Sequence, residues 1–142
     1  MVYRVSNSDG GITRYVQATP EEVWKTLLVT YNELELPITA LAAGTQRISS
    51  SSKRAPRTLA GKPLRDYLDC GSGISGPRVD SYDVAYTLVS VVTPAGDSTA
   101  VQSSLVASAT SRGGTSSAPV DCVTTGSLEK RIARLIELKL GR

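Results

Sequence analysis

With 142 residues and a net charge of +3, this chain is sized for one domain spanning 1–142, and its charge is too small to nominate a polyanionic partner. The absence of histidine removes a Ser-His-Asp triad and any imidazole-based metal site. Phe is also absent, so the core has to be aliphatic, built from Val, Leu, Ile and Ala around Trp24 and some of the six tyrosines.

Along the chain, the alternation of Ile12-Thr13-Arg14-Tyr15-Val16-Gln17-Ala18 predicts a strand that stops before Pro20. Thr19-Pro20-Glu21-Glu22 predicts a helix start. Thr19 caps, Pro20 fits the first helical position, and Glu22 completes a capping box. Val23, Trp24, Leu27, Leu28 and Tyr31 then share one face of that helix. After Pro37, residues 38–43 and 45–51 predict a short hairpin turning at Gly44.

Residues 47–65 carry Arg47, Lys53, Arg54, Arg57, Lys62 and Arg65 with no acidic residue between them, and 49–65 reads as a mobile basic loop. Pro63 to Leu68 is expected to make a helical turn, followed by the glycine-rich stretch 71–76 and a run that leads from Pro77 into a strand. Asp83 to Val92 is apolar on both faces, as an interior strand would be. Residues 93–97 supply a turn. Thr99 to Thr110 then alternates, with Val101, Leu105, Ala107 and Ala109 opposite Gln102, Ser104, Ser108 and Thr110. A second turn at 111–118 and a short strand at 120–124 precede a terminal helix capped by Ser127. In that helix Leu128, Ile132, Leu135 and Ile136 form the apolar stripe, and Lys130, Arg131, Arg134 and Glu137 face away.

This order predicts an α+β fold: a mainly antiparallel sheet with an N-terminal helix and a long C-terminal helix packed on one face. No run approaches the roughly 18 to 20 apolar residues of a membrane span, since Thr87 and Ser90 interrupt the richest stretch. Residues 1–20 lack the apolar core of a signal peptide, so an exported chain would have shed its leader or anchor.

Cys70 and Cys122 are the most informative pair. Each follows an aspartate, whose charge raises a thiol pKa rather than activating a nucleophile. Neither has a second cysteine at metal-ligand spacing, so no metal and no cofactor are expected. A disulfide is the favoured reading and buried free thiols the alternative. A bridge would close a loop of about 53 residues and point to an oxidising compartment.

Other constellations carry less. Gly71-Ser72-Gly73-Ile74-Ser75-Gly76 matches a dinucleotide fingerprint but lacks the flanking strand and helix that the fingerprint needs. Asp66 with Asp69, and Asp80 with Asp83, are acidic pairs at turn-forming positions, outside any calcium-loop pattern. The basic stretch suits an acidic protein or an anionic membrane surface. Nucleic acid comes last, because no aromatic residue lies between Tyr31 and Tyr67 to stack on bases.

The helix opening Ala18-Thr19-Pro20-Glu21-Glu22-Val23-Trp24, the basic hairpin, the sheet and the closing helix after Thr125-Gly126-Ser127-Leu128-Glu129 resemble the helix-grip domains of BamC-type envelope lipoproteins. The resemblance implies a non-catalytic accessory role in a bacterial membrane assembly. The expectation is therefore an interaction or scaffolding domain, not an enzyme, in the periplasm or outer envelope and peripheral to the membrane. Its partners would be protein subunits, met in part through Arg47, Lys53, Arg54 and Arg57. The alternative is a module that holds a lipid or small molecule in a cavity between the sheet and the C-terminal helix.

Overall fold

The computed structural model describes residues 11–73, 76–111 and 118–141, together with the backbone of 3–5. The chain opens with β1 (Tyr3–Val5), β2 (Ile12–Val16) and α1 (Pro20–Glu33), followed by β3 (Ala40–Ala42) and β4 (Arg47–Ser52). An excursion follows, with the two-residue strands β5 (Thr58–Leu59) and β6 (Lys62–Pro63), a 3-10 turn at Leu64–Asp66, and β7 (Leu68–Asp69). Next come β8 (Ser72–Gly73), β9 (Gly76–Pro77) and the single turn α2 (Arg78–Ser81). The long strands β10 (Asp83–Ala95) and β11 (Ser98–Thr110), then β12 (Val120–Thr124) and α3 (Ser127–Leu140), complete the chain.

The main sheet runs β1-β2-β11-β10-β4-β3, with β12 on β11 and β7 on β12, and every pairing is antiparallel. The central ladder is the β10–β11 hairpin. It is closed by a two-residue loop, Gly96-Asp97, in which Gly96 takes φ +64°, a conformation that costs glycine little. The strand continues past the expected turn at residue 93 because its ladder with β11 runs to Ala95, while β4 pairs only as far as Val91. Pro94 therefore sits where one edge of β10 is free, and its missing N–H leaves no gap in the ladder. On its other edge β11 is shared, with Thr99–Ser103 facing β2 and Ala107–Ala109 facing β12.

Period-two alternation decides the buried side. Val84, Leu88 and Val92 of β10 and Val101, Leu105 and Ala109 of β11 point toward the helices and are at most 3% exposed. Helix α1 meets them with Val23, Trp24, Leu27 and Tyr31, and α3 with Leu128, Ile132 and Ile136, so one continuous cluster joins both helices to the sheet. The helices also pack against each other. This is the α+β arrangement expected, with both helices on one face. Side chains of the sheet and of α3 meet in this one buried cluster.

The start of α1 matches its sequence. Thr19 Oγ1 accepts from Glu22 N at 3.2 Å, and Glu22 Oε1 accepts from Thr19 N at 3.1 Å. The start of α3 differs. Gly126, at φ +84°, takes the cap position and Ser127 is the first helical residue. The hydroxyls of Thr124 and Thr125 accept the N–H groups of Gly126 and Ser127, and no side chain caps the first turn of α3. Two residues of α3 expected to face away also turn inward. Glu137 Oε1 accepts from Arg14 Nη2 of β2 at 2.6 Å, and Arg131 Nη1 donates to Tyr67 Oη at 2.8 Å. The run after Pro77 forms α2 before the strand begins. Of the turn expected at 111–118, residues 112–117 lie outside the described residues.

Candidate functional site

Leu68 pairs with Thr124 and Asp69 with Val123, so the next step of this antiparallel register sets Cys70 opposite Cys122. The two sulfurs are bonded at 1.94 Å with Cα atoms 4.1 Å apart, and the favoured reading of the pair holds. Cys70 is 3% exposed within the core cluster, while Cys122 lies on β12 beside Ala107 of β11. The disulfide therefore ties the middle of the 53–82 excursion to the sheet.

Other bonds reinforce that tie. Thr125 N donates to Tyr67 O at 2.9 Å, Thr125 Oγ1 to Asp66 O at 2.8 Å, and Arg131 Nη1 to Ala60 O at 2.5 Å. Leu59, Leu64, Tyr67, Leu68 and Val79 anchor the excursion in the core. The basic stretch read as a loop is thus partly built in. Arg47–Ser52 is a sheet strand, and residues 58–66 form a small ladder and a 3-10 turn.

The excursion brings three arginines of the basic stretch to Asp80 and Asp83. Arg65 Nη1 lies 3.8 Å from Asp80 Oδ2, Arg57 Nη1 donates to Asp80 O, and Arg54 Nη2 lies 3.5 Å from Asp83 Oδ2. Asp80 and Asp83, considered as an acidic pair, act here as the posts that collect three guanidinium groups. The Arg54 and Arg65 side chains remain 79% and 60% exposed, so these pairs contribute at most about 1 kcal/mol each and leave the cations available to solvent.

The four basic residues expected to form one contact surface therefore divide. Arg54 and Arg57 come together with Arg65, which was not among them. Lys53 is exposed beside the other face of the sheet, in a shallow cleft of about 580 Å³ that also involves Ser51, Thr87, Val106, Ser108 and Asp121. Arg47 is exposed at the opposite end of β4, roughly 20 Å from Lys53 at strand rise. Charge density alone would have flagged Arg65. Only the tertiary fold reveals Arg131, 71 residues from Ala60, as the clamp on this segment.

Of the other motifs, Asp69 Oδ1 accepts from Gly71 N at 2.8 Å, a local turn contact. The glycine-rich stretch leads into the four-residue α2, too short to form the helix terminus that a dinucleotide site needs. Among the described residues, no three His, Cys, Asp or Glu side chains group as metal ligands, and no helix is long and apolar enough to cross a membrane.

Among the described residues, Tyr31 and Glu129 are shifted by burial, and both belong to the packing. Burial raises the Tyr31 phenol against the opposing bond with Ser90 Oγ at 2.8 Å, and Ser90 in turn bonds Ser103 Oγ at 2.7 Å. Burial likewise raises the Glu129 carboxyl, only partly offset by the Thr124 hydroxyl, which donates to Oε2 at 2.8 Å. A smaller cleft of about 390 Å³, walled by Glu35, Pro37, Leu59, Ala60 and Tyr86, opens between the end of α1 and the excursion. No family model matches this chain, and no curated protein is recognisably similar to it in sequence.

Proposed function

We propose that this protein is a non-catalytic interaction domain of the bacterial envelope, an accessory subunit that docks on a membrane-associated protein complex. The observation that carries the reading is the cluster of Arg54, Arg57 and Arg65 on a segment fastened to the sheet by Cys70–Cys122. Exposed guanidinium groups held on a fixed scaffold suit an acidic protein surface, because their planar forks pair carboxylates two bonds at a time and little loop entropy is lost on docking. The disulfide supports an extracytoplasmic home, where such bonds persist. An anionic membrane surface is the second acceptor consistent with the same charges.

The test is a pull-down from solubilised bacterial membranes with the wild-type chain and with an Arg54→Glu/Arg57→Glu/Arg65→Glu variant. The wild type should recover a defined complex that the variant loses, with both proteins melting alike. A wild-type chain that recovers no complex, or a complex unchanged by the reversal, refutes the proposal. Retention on anionic vesicles without protein subunits would move the assignment to the membrane surface.

A further inference from the structure

The sheet face turned away from α1 and α3 carries no second layer among the described residues. On it, Val106 and Val123 are 58% and 68% exposed, and Thr87, Val89, Val91 and Ser104 are half-buried. The registers arrange this face in rows that cross β4, β10 and β11. Arg47, Val91 and Gln102 stand in line with Thr13 of β2, and Ser51, Thr87 and Val106 form another row. At the far end, Lys53, Ala85, Ser108 and Asp121 line one cleft, with Ser108 paired to Asp121 of β12. Between Arg47 and that last row, this face of β4, β10 and β11 is uncharged.

We propose that this face pairs two copies of the chain about a two-fold axis that runs along the strands between β10 and β11. Such an axis exchanges β10 with β11, and β4 with the column shared by β2 and β12. Lys53 of each copy then meets Asp121 of the other, giving two ion pairs at one end of the interface. Ala85 meets Ser108 and Thr87 meets Val106. Arg47 meets Thr13, so no like charges are opposed. This self-complementarity is what an isologous contact requires, and two antiparallel sheets of small side chains stack face to face in the aligned manner of a β-sandwich.

The area reaches the lower end of specific interfaces. Over these rows β10 and β11 each run about 36 Å, β4 about 20 Å, and the β2 and β12 segments together about 26 Å, which at sheet spacing covers roughly 570 Å². A standard stable interface covers about 800 Å² on each partner. The contact adjoins the arginine cluster at Lys53–Arg54 but uses different side chains, so either assignment can fail alone.

Sedimentation equilibrium of the full chain from about 1 to 500 µM at low salt tests it. The wild type should form a dimer. Lys53→Asp and Asp121→Lys each place like charges opposite one another twice per dimer and should weaken association at least about tenfold. An equimolar mixture of the two variants restores both ion pairs in a heterodimer and should recover wild-type affinity. Lys53 and Asp121 are both exposed, and matching thermal melts confirm that the variants fold. A wild type that stays monomeric overturns the proposal, as does a dimer that neither swap weakens or a mixture that stays apart. A monomer that binds a heterologous protein or vesicles through Val106 and Val123 also overturns it.

Discussion

Replacing both cysteines, Cys70→Ser/Cys122→Ser, should destabilise the fold chiefly through the unfolded chain. The bridged residues are 52 positions apart. Releasing a loop of that length returns about 14 cal/mol/K of chain entropy, or about 4 kcal/mol at 25 °C on the chain-entropy model. With a urea dependence of about 2 kcal/mol per M for a chain of this size, the unfolding midpoint should fall by roughly 2 M. The melting temperature should drop by roughly 10 °C. Trp24, 9% exposed between α1 and the sheet, reports the transition by fluorescence, and circular dichroism supplies a second probe. Because the freed unfolded chain is more expanded, the urea dependence should steepen as well. A loss below about 1 kcal/mol, with the two probes coincident, would refute the entropic account and assign the tie to Leu59, Leu64, Tyr67 and Leu68 alone.

Thr19→Ala removes the capping-box acceptor at an exposed position and should cost about 1 kcal/mol, read as a lowered melting temperature with an unchanged native spectrum. Ile132→Ala, at a fully buried position between α3 and the sheet, should cost about 2–5 kcal/mol in urea unfolding, and an effect below 1 kcal/mol would mean that the packing there is loose. Glu129, 1% exposed, has its carboxyl raised by burial, so its protonated form is the one that the fold favours. Its contribution is present in acid, below the ordinary glutamate range, and is lost as pH rises through the raised value. Urea midpoints from pH 4 to 8 should therefore gain less on raising the pH for the wild type than for Glu129→Gln, which keeps a group able to bond Thr124. Parallel profiles would contradict this.

What the sequence made legible was decided by neighbours. The α1 capping box joins Thr19 and Glu22, three residues apart, and the β10–β11 hairpin closes over two, so residue order contains both. The cap of α3 was misplaced because Gly126, in a left-handed conformation, takes the position before Ser127 and offers no side chain to mark it. Glu137 looked solvent-facing because its partner Arg14 is 123 residues away. Period two did contain half of that pair, since Arg14 falls between Ile12 and Val16 on the buried side of β2. Cys70–Cys122 was readable by chemical elimination, but its register, one step beyond Asp69 and Val123, required the sheet. The arginine cluster was half legible. Sequence held the charge but not the aspartates that sort Arg54, Arg57 and Arg65 from Arg47 and Lys53.

The disulfide and the arginine surface are parts of one physical problem. β5, β6, β8 and β9 are two-residue strands that pair only with each other, and isolated ladders of that size are not stable in water. The segment that carries Arg54, Arg57 and Arg65 depends on what fastens it: five core side chains, the Arg131 clamp, and the bond from Cys70 to β12. Exposed arginines recognise a partner at low entropic cost only when their backbone is already fixed. Reducing the bond should therefore weaken docking more than it disturbs the sheet, because β10, β11 and both helices keep their own core while the excursion loses a fastening at its middle. Under the proposed function, oxidation of Cys70 and Cys122 is a condition for presenting the arginine surface, and the two cysteines would serve recognition although neither has to touch the partner.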